Sequence, residues 1–394
     1  MKWSSLIAGA ALVALAGGAA CGPAAASYSC TDRLGCIVVP SDQPVKIGAL
    51  LTLTTPDSPY GIDALRGVEI AITHKDRVAG HSIELIKEDD LCSEAGGAAG
   101  ATQLADDPAI AGVIGTTCSS ATVMASRILS GVGSVLISPS STAPSLTSPA
   151  SHEAGFLRTI YNDKAQGQAV AEFAYNVLGA QRMVTIHDGT AYAQELQQTA
   201  CDTFKQLGGQ CTRQIQITSG QDVTQVLQEA SLDDPEVLFF PVYAVDGAAI
   251  TNGASLAGLQ NTVLMSSDGL LSADFIQQTQ PASEGMYLSG PANTQESQSF
   301  VEEYKARYGE APIASYHLQG YDAAMMLLDA IDGVAQTGGG TLYIPRQALR
   351  DALYGTRGME GLSGPINCSS SGDCAQPNIE IYQVVNAEFK AVYP

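Results

Sequence analysis

Residues 110–138 read IAGVIGTTCSSATVMASRILSGVGSVLIS. The run 110–115 is apolar and of strand length, 135–138 is a second such run, and a helix fits around 121–129 between them. The same alternation extends upstream. Residues 47–51 form a strand, Ile62, Leu65, Val68 and Ile72 recur at helical spacing, 83–87 is the next strand, and an Ala-rich helix spans about 95–104. Four strands separated by helices predict a parallel, doubly wound sheet.

Downstream the pattern repeats in kind but not in sequence. Val170, Phe173, Ala174 and Val177 mark a helix, 183–187 a strand, and Leu196, Ala200, Phe204 and Leu207 another helix. Strands follow at 215–217, 237–240, 263–266 and 286–288. After Pro291 two long helices carry Phe300, Val301, Tyr304 and Tyr308, then Leu318, Tyr321, Met325, Leu328 and Ile331. A short helix near 349–353 and a last strand at 379–385 close the chain. The expected architecture is α/β: two doubly wound, Rossmann-like lobes joined by a multi-strand hinge. Lobe one takes residues 45–161 and 293–366, and lobe two takes 162–292 and 367–394. The chain then crosses near 159–163, 291–294 and 365–369, and a ligand belongs in the cleft between lobes.

Composition restricts the function. The chain of 394 residues carries 19 Lys+Arg against 40 Asp+Glu, a formal net charge of −21. That charge repels phosphate backbones and anionic lipid, which argues against a nucleic-acid partner. Hydrophobic residues make up 45% and charged residues 15%, enough to bury a core. Beyond the first 21 positions no run of 18 apolar residues offers a membrane span.

The N-terminus reads as an export signal over residues 1–20: Lys2, an apolar stretch at 6–15, then Gly17, Gly18, Ala19 and Ala20. Cys21 follows, and a Cys at that junction resembles the lipobox of bacterial lipoproteins, which implies lipidation of its thiol. Residues 21–44 then serve as a tether ending in a small stapled loop. Export permits disulfides. Of nine Cys, setting Cys21 aside leaves eight. They fall as Cys30/Cys36, Cys92/Cys118, Cys201/Cys211 and Cys368/Cys374, and pairing of sequence neighbours is the economical reading. There is no CxxC, no HExxH and no clustering of the five His, so no metal and no cofactor is expected.

The order of motifs resembles the branched-chain amino-acid-binding proteins of ABC importers, which have a type I periplasmic-binding fold. The residues that carry the resemblance are Ile47-Gly48-Ala49-Leu50, Tyr60-Gly61 and Glu88-Asp89-Asp90, then the runs 113–120 and 137–147. Phe156-Leu157-Arg158-Thr159, the run 163–167, and His187-Asp188 with Tyr192 follow. The likeness covers nearly all of 45–390, and the family's first-lobe disulfide matches Cys92 and Cys118. It implies an amino-acid ligand and the permease of an ABC importer as partner.

The site chemistry follows from both sources. An amino acid brings a carboxylate and an ammonium into a cleft that excludes water, and both need partners. Ser119 and Ser120 follow a strand and open a helix, whose N-terminus offers free N–H groups and a positive dipole end. Ser140, Ser141 and Thr142 occupy a second post-strand loop. By resemblance, Ser119 and Thr142 hold the carboxylate, while the Ser140 carbonyl and the Thr142 hydroxyl help hold the ammonium. Asp268 stands where the family usually has an acid and is the expected counter-ion of the ammonium. Tyr192 and Tyr243 match second-lobe aromatics that close over the ligand, and Tyr60 matches a first-lobe wall. Each type also has an ordinary structural use, as helix cap, Asp-Gly turn or packing residue. An enzyme is not expected, for there is no GxSxG elbow, Walker loop or dinucleotide fingerprint. A carboxylate ligand without an amino group, and a ligand-sensing module, are the alternatives.

Overall fold

The central first-lobe strand Ile110–Gly115 is a continuous apolar run because both faces of its sheet are covered by helices. The computed structural model describes Met1, residues 28–292 and residues 297–394. Beyond Met1, the expected signal segment and Cys21 lie outside the described residues. In lobe one six strands run in the order Arg77–Val78, His81–Asp89, Val45–Leu51, Ile110–Gly115, Leu136–Ser138, Phe156–Arg158. All are parallel except the hairpin formed by the first two.

Alternate side chains serve opposite faces. Ile47, Ile114 and Ile137 pack with Val68, Ala323 and Leu327 from the helices Ser58–Lys75 and His317–Val334. Leu50, Val113 and Leu136 pack with Leu104 and Leu129 from Glu94–Asp106 and Ser119–Gly131. The first two helices cross so closely that a Cβ on Gly67 would run into the His317 carbonyl, and one on Gly320 into that of Ala64.

Lobe two has seven strands in the order Glu388–Tyr393, Ile379–Val385, Tyr287–Pro291, Val263–Ser266, Val237–Phe239, Arg182–His187, Gln210–Gln216. The last five are mutually parallel, and the final hairpin of the chain joins antiparallel. The strand Glu388–Tyr393 was not apparent in the sequence, nor were the helices Thr224–Ser231, Ala244–Ala254 and Ala273–Thr279. These are short, and in Ala244–Ala254 apolar residues lie all round the helix.

All four expected disulfides are present: Cys30–Cys36, Cys92–Cys118, Cys201–Cys211 and Cys368–Cys374. Two boundaries differ from the sequence reading. Residues 36–44 are not all tether, because Cys36–Val39 is a strand paired antiparallel with Thr341–Pro345. Its alternation explains this: Ile37 and Val39 enter the first-lobe core while Val38 is exposed. The Cys368–Cys374 loop, expected in lobe two, packs in the first-lobe core, and Arg158 bridges to Asp373. The third crossing therefore falls at 376–378, just before the strand Ile379–Val385, rather than at 365–369.

Candidate ligand-binding site between the lobes

The site grows from the carboxyl ends of strands in both sheets, where doubly wound folds leave a crevice. In lobe one the strand Ile110–Gly115 ends on Gly115, whose φ of 140° and close approach to the Leu50 carbonyl exclude a side chain. The turn delivers Thr117 and Cys118 to the cleft, and Cys118 caps the helix Ser119–Gly131. The Cys92–Cys118 bridge fastens this turn to the loop after His81–Asp89. Ala143 N donates to Ser119 Oγ at 3.1 Å, which joins the helix start to the second loop. That hydroxyl still has its own proton to donate. Ser120 is the next residue of the helix and is buried.

In the second loop the residues divide. Ser140 faces the cleft and donates from Oγ to the Thr117 carbonyl at 2.8 Å. Ser141 does not face it. Its hydroxyl is directed to the Thr116 carbonyl at 3.1 Å and accepts from Thr122 Oγ1 at 2.7 Å. Neighbouring residues of an extended segment point to opposite sides, so Ser141 knits the lobe instead. Thr142 is fully buried and its hydroxyl has no hydrogen-bond partner.

Lobe two supplies the acid. Asp268 is 1% exposed and opens the short turn Asp268–Leu270 after Val263–Ser266. Tyr192 Oη and Gln166 Nε2 donate to its Oδ1, each at 2.8 Å. Tyr316 Oη, from lobe one, donates to Oδ2 at 2.7 Å. Tyr192 lies 5.2 Å from Tyr243, ring to ring. Tyr60 reaches across the cleft and donates to the Gly269 carbonyl at 2.6 Å.

A second acid stands beside Asp268. Asp163 begins the helix Asp163–Glu172 and is fully buried; its oxygens make no well-formed hydrogen bond, and the one side-chain donor near enough to favour its charge is the Thr142 hydroxyl. Burial, then the Asp268 charge, hold its carboxyl well above the usual range. Burial also raises Asp268, but its three donors pull it back. Burial and the neighbouring charge thus favour the neutral form of Asp163, while three donors favour the charged form of Asp268. Burial keeps the hydroxyls of Tyr60, Tyr192, Tyr243 and Tyr316 neutral by raising them.

Among the nine residues named from the sequence, Tyr60, Ser140, Tyr192, Tyr243 and Asp268 line one small cavity. Thr117, Cys118, Gly269 and Tyr316 complete its wall. Its volume is about 20 Å³, room for about one water molecule. An amino acid therefore enters only when the lobes part. A larger crevice of about 570 Å³ lies elsewhere between the lobes, against Ile276, Gln280 and Ile313. None of the buried, unpartnered polar atoms belongs to its walls, whereas those of Thr142, Asp163 and Gln166 gather by Asp268. Sequence reasoning missed Asp163, Gln166 and Tyr316. The first two lie in the run 163–167 that carried the resemblance, while Tyr316 gave no signal beyond preceding a helix.

The family profile described as periplasmic binding protein matches residues 44–388. The chain belongs to that family. This periplasmic binding protein is 26% identical to the Leu/Ile/Val-binding protein of Escherichia coli (strain K12) over 255 residues, 64% of this chain and 68% of the relative. It is 25% identical to the leucine-specific-binding protein of Salmonella typhimurium over 349 residues, 86% of this chain and 90% of that one. Its fold is similar to that of a leucine-binding protein from Thermotoga maritima, with a TM-score of 0.81, 28% identity, and coverage of 88% and 97%. Among the described residues, no helix of this periplasmic binding protein is long and apolar enough to cross a membrane.

Proposed function

We propose that this periplasmic binding protein captures an α-amino acid, branched-chain or similar, between its lobes and delivers it to the permease of an ABC importer. The observation that carries this reading is Asp268: a buried carboxylate bonded from both lobes, with a second buried acid beside it and no Lys or Arg among its hydrogen-bond partners. Acceptors buried without donors are costly. Thr142 Oγ1, Gln166 Oε1 and the Asp163 oxygens make no well-formed hydrogen bond, and an ammonium brings several N–H donors and one positive charge to them. The ligand carboxylate is assigned to the helix start at Ser119 and Ser120 and to Thr142, and its side chain to the wall of Tyr60, Tyr192 and Tyr243. The names of the relatives, leucine-binding or Leu/Ile/Val-binding, support the branched-chain class.

The reading is one of binding without catalysis. His187 accepts the Gly189 amide at 3.3 Å and Asp188 accepts from Thr190, so both serve a local turn rather than a nucleophile. Export follows from the family. Lipidation of Cys21 would keep the protein at the membrane surface, and mass spectrometry of the membrane fraction tests for the acylated N-terminal peptide.

A thermal-shift panel of amino acids and matching acids without the amino group tests the function. A ligand at 100 times its dissociation constant adds about 2.7 kcal/mol of stability. Stabilisation by leucine, isoleucine or valine, and none by the des-amino acids, is expected. Equal stabilisation by both classes would remove the ammonium from the reading.

A further inference from the structure

We infer that Arg158 and Asp373 form a positioning couple that holds the Thr142 loop in its binding conformation, so that the Cys368–Cys374 loop controls ligand affinity from outside the cleft. The inference rests on the assignment of Thr142 to the ligand.

Arg158 is one of the largest fully buried side chains among the described residues. From one guanidinium nitrogen, Nη1, it donates to the carbonyls on both sides of Thr142: Ser141 O at 3.1 Å and Ala143 O at 3.0 Å. Nη2 donates to Thr147 Oγ1, at the far end of the same segment. A planar fork with fixed donors fixes the peptide planes that flank Thr142, which a flexible ammonium would not do. Nε is directed elsewhere, to Asp373 Oδ1 at 2.6 Å. Asp373 is thus the counter-ion that sets the plane of the fork, and its carboxylate is a third exposed.

The loop that carries Asp373 lies directly on the edge of the first-lobe sheet. Arg158 N donates to Gly372 O at 2.9 Å, and Cys374 N donates to Arg158 O at 3.1 Å. A Cβ on Gly372 would strike the Phe156 carbonyl, so only glycine lets the loop lie this close. The disulfide closes this loop immediately after Asp373. A second contact extends the reach of the same carboxylate. Asn162 Nδ2 lies 3.5 Å from Asp373 Oδ2, and Asn162 caps the helix that starts with Asp163. Asp163 N in turn donates to the Thr142 carbonyl at 3.0 Å. One surface carboxylate is therefore connected to the Thr142 loop through Arg158 and to the buried acid pair through Asn162.

The test compares the full chain with Asp373→Ala, Asp373→Asn and the double variant Cys368→Ser/Cys374→Ser. Two readouts are taken well below melting: hydrogen exchange of the peptide covering 139–147, and the dissociation constant for L-leucine by calorimetry. Asp373→Ala should speed exchange in that peptide about tenfold, leave the strands Val45–Leu51 and Ile110–Gly115 unchanged, and weaken L-leucine about tenfold. The double Ser variant should move both readouts the same way. Asp373→Asn keeps an acceptor for Nε but not the charge and should restore part of both losses. Unchanged exchange at 139–147, an increase spread evenly over lobe one, or a local increase with unaltered affinity would each overturn the inference. If the parent itself binds no L-leucine, the ligand assignment fails instead, and the exchange pattern alone decides whether the couple positions the loop.

Discussion

Replacing Asp268 by Asn removes one charge and little volume from the centre of the cleft. Truncating one partner of a buried charge pair costs about 2–5 kcal/mol, much of it from the charge left behind. Two features place the loss at the lower end. An Asn oxygen can still accept from Tyr192 and Gln166, the donors to Oδ1. The Asp163 carboxyl, raised by burial and by the Asp268 charge, ionises more readily once that charge is gone. The expected loss is about 2–3 kcal/mol, or roughly 30- to 150-fold in affinity for leucine at neutral pH. The fold should survive, because the substitution leaves the core clusters of lobe two intact. Calorimetry of the parent, Asp268→Asn and Asp163→Asn/Asp268→Asn reads this directly, and the double variant should lose more than the single. Ser119→Ala, at the carboxylate end, should weaken leucine and its des-amino analogue alike. If Asp268→Asn binds leucine as well as the parent does, the acid is only a turn residue and the reasoning fails.

Further outcomes follow from the contacts between lobes. Asp57 of lobe one accepts from Ala244 N of lobe two at 3.3 Å, and burial, with the charges of Asp188, Asp246 and Asp90, pushes it up to about 6. A carboxyl raised in the closed form is ionised at pH 7 at a cost, and that cost disappears as pH falls through 6 towards its ordinary value. Leucine should therefore bind more tightly at pH 5.5 than at pH 7.5, and Asp57→Asn should flatten the profile measured by calorimetry. Tyr60→Phe deletes the hydrogen bond to Gly269, worth about 1 kcal/mol, and stopped-flow fluorescence should show leucine leaving about fivefold faster. Small-angle scattering should show contraction on saturation with leucine; an unchanged radius would count against a hinge. Cys92→Ser/Cys118→Ser should cost about 3–4 kcal/mol by the loop-closure argument, read by urea unfolding, with a weakened ligand because the bridge anchors the turn that opens the helix Ser119–Gly131.

Local pattern was enough to read the alternation of strands and helices, because a strand buried on both faces must be apolar along its whole length, as in Ile110–Gly115. The cysteine pairs were legible because each joins sequence neighbours. Ser140, Tyr192 and Asp268 could be named because each matches a site position of the family that the sequence resembles. Proximity across the cleft was not legible. Asp163 and Asp268 stand on different elements, and only folding brings them close enough for the charge of Asp268 to raise the Asp163 carboxyl. Tyr316 enters from a loop with no motif, since a tyrosine before a helix has many ordinary uses. Ser141 and Thr142 look alike in sequence, yet the pleat of the loop turns one hydroxyl inward and leaves the other unpartnered. The sequence by itself determined two α/β lobes, four local staples and an acid after a second-lobe strand, because these depend on neighbours in the chain. Tertiary structure alone decided which hydroxyls and carboxyls meet, because that depends on how two sheets and three crossings are placed in space.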